Sequence, residues 1–359
     1  MEVRPRLLTP GPVELHPKAR AALVAPQVHH RTAVARERFT RARALLAEAF
    51  RTQGEVLILT GSGTAAMEAL ATNLFAPGER VYVPVLGKFS ERWAEIAKSA
   101  GLEVVRRGLE WGRVLVPESL EADLRAYGPV SGVLLTHSET STGALNDVRV
   151  LAEVVRRVQP QALVVIDAVT SLLVSPLELD AWGIDAAASG SQKGLMCPPG
   201  LAFAALGPRA LARLRPRGYY LNLERELKAQ RTGESAYTPA INLVLAAEAV
   251  LEEVVPRLEA HLALKAEQHE RLYALGAELG LKPVPERRSA ATAAFWLPEG
   301  VRYPEVREAF ARRGAVIAGG QGPLKGRIFR VSLMGYFDRY DTEAVLALVR
   351  AALVEVLRA

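Results

Sequence analysis

The sequence predicts an α/β fold: a large domain on a mostly parallel sheet covered by helices on both faces, then a smaller C-terminal α+β domain. Three observations carry this. Continuous apolar runs of strand length alternate with amphipathic stretches of helix length, the pattern of strands buried on both faces. At 359 residues the chain exceeds what one core commonly holds, so two unequal domains are expected. The alternation also changes character near Pro256, where a long helical region leads into a mixed pattern.

Glu55-Val56-Leu57-Ile58-Leu59-Thr60 reads as a buried strand, and residues 65–75 as the helix after it. Arg80-Val81-Tyr82-Val83-Pro84 is a second strand, followed by a helix over 90–100. Gly132-Val133-Leu134-Leu135-Thr136 and a helix over 148–158 repeat the unit. Ala162-Leu163-Val164-Val165-Ile166-Asp167 is the next strand, and a short one covers 184–189. A long helical region spans 243–279. A strand at 293–297, a helix at 304–313, a glycine-rich turn at 319–322, a strand at 328–333 and a final helix at 342–357 complete the chain. The boundaries expected are an N-terminal arm over 1–16, a large domain over 17–256 and a small domain over 257–359. No internal repeat interrupts the order.

Composition narrows the function classes. Half of the residues are hydrophobic and 23% are charged, which suits a buried core rather than disorder. The net charge is +6, but basic residues are interleaved with acidic ones, as in Arg36-Glu37-Arg38. Such mixing points to solvated helix faces, not to a nucleic-acid surface. There is no apolar run of about 18 residues, so no membrane-spanning helix is expected. Thr9-Pro10-Gly11-Pro12 breaks the N-terminal segment before a secretory leader could form. The one cysteine, Cys197, rules out an internal disulfide and a cysteine metal cage. A cytoplasmic location without a metal is expected.

In a parallel sheet, ligands bind outside the carboxyl ends of the strands. Three chemical features fall there. Gly61-Ser62-Gly63-Thr64 lies between a strand and a helix, where backbone N–H groups and the helix dipole favour an anion. The run also fits a loose dinucleotide fingerprint, but the next strand lacks the acidic residue that pattern needs, so a plain phosphate suits it better. The alternative is an ordinary helix cap by Ser62 or Thr64. Asp167 closes an apolar strand, where a bare carboxylate is costly unless a cation meets it. Lys193 follows within Ala188-Ser189-Gly190-Ser191-Gln192-Lys193-Gly194-Leu195, just before Pro198-Pro199-Gly200. Its small neighbours leave room for a flat ligand, and a lysine withdrawn from water can attack a carbonyl. A phosphate cradle, a carboxylate for a ring nitrogen and a Schiff-base lysine together match pyridoxal phosphate chemistry.

The chain resembles the class V, fold-type I pyridoxal-phosphate aminotransferases, near the alanine–glyoxylate and serine–pyruvate enzymes. Leu8-Thr9-Pro10-Gly11-Pro12, Gly61 through Glu68, Thr136-His137-Ser138-Glu139-Thr140-Ser141-Thr142-Gly143, the Asp167 and Lys193 runs, and Arg330-Val331-Ser332-Leu333 carry the resemblance in the family's order. It implies that Lys193 tethers pyridoxal 5'-phosphate and moves a proton, while Asp167 keeps the ring nitrogen protonated. It implies that Ser62, Gly63, Thr64 and Gln192 take the phosphate. Phe89 would stack on the ring, and Thr140, with Ser141 as the alternative, would sit beside the phenolic oxygen. Arg330 would grip the substrate carboxylate and Gly11 would line the substrate site. Tyr237 and Thr238 would cross a homodimer interface to the partner's phosphate, placing the active sites between subunits. The activity implied is transamination between alanine or serine and glyoxylate or pyruvate. Aspartate as donor is the alternative. A nucleotide-binding oxidoreductase would leave Lys193 and Asp167 idle, and a cofactor-binding regulator would need a DNA-binding segment that the sequence does not show. His29, His30, His137 and Cys197 are expected to be structural.

Overall fold

The computed structural model describes residues 5–358; residues 1–4 of the expected arm lie outside them. Seven strands build the main sheet: β2 (Glu55–Gly61), β3 (Arg80–Val85), β4 (Glu103–Gly108), β5 (Gly132–Thr136), β8 (Leu163–Asp167), β9 (Ala186–Gly190) and β10 (Gly200–Leu206). The remaining strands form three smaller sheets: β1 (Arg6–Leu7) with β12 (Ala315–Val316), β6 (Ser138–Glu139) with β7 (Ala144–Leu145), and β13 (Ala318–Gly319) with β11 (Ala293–Trp296) and β14 (Ile328–Val331).

The main sheet runs in the order β2-β10-β9-β8-β5-β3-β4. Every pairing is parallel except those of β10, which lies antiparallel to both β2 and β9. Alternate residues of each strand feed two separate cores. Val164 and Ile166 enter one and Leu163 and Val165 the other, so helices cover both faces. The strand order reverses between β3 and β5, because β3 leads outward to β4 while β5 leads the other way to β8. Such a reversal opens a crevice at the carboxyl ends of the strands.

Several elements differ from the sequence reading. β10 follows Pro198-Pro199 as a full buried strand, which the sequence reading did not include. β4 was not anticipated, because Glu103, Arg106 and Arg107 make it an exposed edge strand with little apolar pattern. The helix Ala33–Phe50 also emerges, with Thr32 capping it through the Ala35 N–H. The long helical region is broken: Ile241–Val254 and Leu258–Glu278 are separated by a short 3₁₀ turn around Pro256.

The C-terminal elements have their own core, in which Leu8 also sits. β14 is the centre of a three-stranded antiparallel sheet between β11 and β13. β1 pairs parallel with β12, so the N-terminal segment is tied to this part of the chain. The Leu8 N–H donates to the Val316 carbonyl, and the Ser332 N–H donates to the Leu8 carbonyl. None of the helices among the described residues is long and apolar enough to cross a membrane.

Candidate active site

The crevice holds a cavity of about 290 Å³ lined by Gly11, Ser62, Gly63, Thr64, Phe89, Asp167, Gln192 and Lys193, together with Arg92 and Thr170. Apart from Gly11 on the N-terminal segment, they come from the carboxyl ends of main-sheet strands or from the turns and helix starts that follow them. Ser62 occupies the cap position of the helix Gly63–Leu74, yet its side chain makes no cap hydrogen bond. The Ala65 N–H turns back to the Ser62 carbonyl at 2.7 Å, and the Gly63 and Thr64 N–H groups at the helix start suit an anion. Gln192 presents a buried amide oxygen without a protein partner.

Asp167 is 5% exposed, and its Oδ1 accepts from the Val169 N–H at 2.8 Å. No lysine or arginine forms an ion pair with it among the described residues. Burial pushes it up to about 7, against the pull of that N–H. A cation beside it would stabilise the ionised carboxylate.

Lys193 is 8% exposed. Its Nζ donates to the Pro10 carbonyl and lies 5.9 Å from the centre of the Phe89 ring. Burial, then the positive charge of Arg330, lowers it to about 8. Gly11 is required beside it, since a Cβ there would come within 2.5 Å of Nζ and its φ is +122°.

Arg330, on β14, is 4% exposed and makes no ion pair among the described residues. Nε and Nη2 donate to the Gly319 carbonyl at 3.0 and 2.7 Å, and Nη1 donates to the Thr140 carbonyl at 2.8 Å. A guanidinium has five N–H donors. One on each terminal nitrogen remains for a carboxylate. Burial lowers its pKa to about 10.

Thr140 does not line the cavity. Its Oγ1 lies 3.1 Å from the Thr170 hydroxyl, and Thr170 does line it. The alternative, Ser141, does not line the cavity either: its hydroxyl donates to Glu139 at 2.6 Å and accepts from the Lys88 N–H at 3.0 Å. Tyr237 and Thr238 do not line this cavity. Tyr237 lines a separate recess with Tyr219 and Arg225, its hydroxyl donating to the Tyr219 carbonyl, and Thr238 is exposed.

His137 is buried behind Asp167. Its N–H donates to the Asp167 carbonyl at 3.0 Å, its ring meets Trp182 edge-on, and burial lowers it to about 4. His29 stacks on His30. Cys197 is buried, which raises its thiol to about 12 and makes it a poor nucleophile. No group of three or more metal-ligating side chains is found among the described residues.

Sequence reasoning missed Arg92. It sits one helical turn after Phe89, with Cζ 5.0 Å from the ring centre and Nη1 donating to Thr64 Oγ1 at 3.3 Å. No carboxylate pairs with it among the described residues. The i,i+3 spacing from Phe89 was the available signal.

Residues 16–345 match the family Aminotransferase class-V. The chain is 65% identical to a solved aspartate aminotransferase of subgroup IV from Thermus thermophilus, with a TM-score of 0.95 over 98% of this chain and 99% of that one. It is 30% identical to a solved alanine–glyoxylate aminotransferase from Nostoc sp., with a TM-score of 0.92 over 98% and 96% of the two chains. It is 35% identical over 370 residues to a protein named soluble hydrogenase, small subunit, from Synechococcus sp. strain PCC 6716, covering 99% and 94% of the two chains. The chain belongs to the class-V aminotransferases, pyridoxal-phosphate-dependent enzymes of fold type I.

Proposed function

We propose that this aminotransferase moves the amino group of aspartate to a small 2-oxo acid, with Lys193 as the cofactor-bearing residue. The observation that carries the donor is a second guanidinium, Arg92, in the same cavity as Lys193 and without a carboxylate partner among the described residues. A dicarboxylic substrate has a second carboxylate to meet it. The 65% identical relative, named an aspartate aminotransferase, supports the same donor.

Bound pyridoxal phosphate supplies an electron-accepting ring that stabilises the charge left when an α-proton departs. The chain does the rest. The uncapped helix start at Ser62, Gly63 and Thr64, with Gln192, would hold the phosphate. Asp167 would keep the ring nitrogen protonated, and Phe89 would cover one face of the ring. Thr140 would act near the phenolic oxygen through the Thr170 hydroxyl. Arg330 would grip the α-carboxylate through its two remaining N–H groups, and Gly11 would line the substrate side. Lys193 Nζ would take the α-proton and return it at the cofactor carbon. Tyr237 and Thr238 would belong to the interface of a homodimer.

A panel of donors with glyoxylate, pyruvate and 2-oxoglutarate tests the substrate. Aspartate is expected to give the highest kcat/KM; a higher value for alanine or serine overturns the assignment. That second reading, a small donor with glyoxylate, is favoured by the likeness to the alanine–glyoxylate enzyme.

Two substitutions separate the carboxylate sites. Arg330→Lys is expected to lower kcat/KM by about 2–5 kcal/mol for every donor, because an ammonium cannot make the bidentate grip. Arg92→Leu is expected to lower kcat/KM for aspartate by roughly tenfold more than for alanine. An equal loss for both donors, with weaker cofactor binding, would instead assign Arg92 to the phosphate.

A further inference from the structure

Glu139 is fully buried and makes no ion pair among the described residues. Its carboxylate meets only donors. The Ser90 N–H donates at 2.9 Å, the Phe89 N–H at 3.1 Å to one oxygen and 3.2 Å to the other, and the Ser141 hydroxyl at 2.6 Å. Ser90 Oγ lies 3.0 Å away. Each of these groups is a donor, and the carboxylate oxygens accept from them. The carboxylate therefore sits at the N-terminus of the helix Lys88–Ser99, where the dipole is positive.

Helix caps are commonly local. This one comes from a segment 49 residues beyond Ser90. Glu139 follows β5 and the helix follows β3, so the contact spans the point where strand order reverses. Gly87 makes the approach possible, since a Cβ there would lie 2.3 Å from Glu139 Cδ. The contact has one neighbour in the cavity and another that holds Arg330. Phe89 lines the cavity, and the carbonyl of Thr140, the next residue, accepts from Arg330 at 2.8 Å.

We infer that Glu139 is a positioning residue: it pins the start of the Lys88–Ser99 helix so that Phe89 is held over the cofactor ring, while the adjoining Thr140 carbonyl holds the Arg330 guanidinium. One short segment then sets both the stacking ring and the carboxylate clamp in register. The inference rests on the proposed role of Phe89. A local Asp or Ser cap would steady the helix without tying it to the β5 segment.

A double-mutant cycle on cofactor binding tests it. Cofactor-free protein is titrated with pyridoxal phosphate, with affinity read from fluorescence quenching and ring placement from visible circular dichroism. Glu139→Gln and Phe89→Ala are each expected to weaken binding about tenfold, and the double variant to bind within about twofold of Phe89→Ala alone. Both single variants should change the visible dichroism in the same sense. Losses that multiply to about a hundredfold would overturn the coupling. So would a Glu139→Gln protein that melts earlier but keeps its cofactor affinity and dichroism, because that is a purely structural cap. A Phe89→Ala protein of unchanged affinity would sink the role of Phe89 itself, and the inference with it. Should Glu139→Gln fail to fold, Gly87→Ala takes its place in the same cycle with the same expected outcome, since its methyl displaces the carboxylate while keeping the charge.

Discussion

Lys193→Ala is expected to lower transamination by about 10⁴-fold, the upper end of what a positioned proton carrier contributes. It should also abolish the visible absorbance band of the cofactor-bound protein. Both losses follow from one atom. Nζ is buried beside Phe89 and within reach of the Pro10 carbonyl, and no other lysine lines the cavity. A variant that kept the band would show that the cofactor is carried elsewhere. The wild-type amine adds a pH signature. Burial lowers it from the usual lysine range to about 8. Below that pH it is an ammonium and cannot attack a carbonyl. Cofactor capture by cofactor-free protein should therefore speed up by about tenfold per pH unit up to about 8, then level off. Absorbance after rapid mixing across this range checks it, and a flat profile would count against the lysine as the attacking group.

Asp167→Asn is expected to lower kcat/KM by about 3–5 kcal/mol, roughly 10²–10⁴-fold, because it would remove the negative partner proposed for the ring nitrogen. The amide keeps the shape, and its oxygen can still accept from the Val169 N–H. What disappears is the negative charge that would hold a proton on the ring nitrogen. The carboxyl is pushed up to about 7 by burial, which is the unfavourable state a cationic partner relieves. Cofactor affinity should fall along with turnover. Kinetics within tenfold of wild type would mean that the ring works unprotonated.

Much of the framework was legible along the chain. The main parallel strands could be read because each is a continuous apolar run, and its chemistry-bearing residue stands just past its end. Asp167 closing β8 and Lys193 three residues past β9 follow that rule. β10 was missed because Pro198-Pro199-Gly200 reads as a terminator, whereas the chain turns there and returns antiparallel. β4 was missed because an edge strand needs no apolar pattern. The partners of the Ser141 hydroxyl, Glu139 and the Lys88 N–H, could not be read from its residue type.

Arg92 and Glu139 mark where linear reading stops. Arg92 looks like any arginine on a charged helix face, and only the packing of its helix shows it lining the cavity without a counter-ion. Glu139 lies in a quoted motif without an obvious task, and its partners are distant in sequence.

The sequence by itself determined the alternation of buried strands and helices, the family's motifs in order, and the residue types that the chemistry needs. Local patterning sets those, since strand burial and turn chemistry depend on neighbours along the chain. Only the tertiary structure decided which groups meet. It brings the Pro10 carbonyl to Lys193, Thr140 to Arg330, and Glu139 across the reversal between β3 and β5 to the helix of Phe89. Those pairings join segments far apart in the chain, and buried charges and N–H groups find partners only once the sheet order has been set.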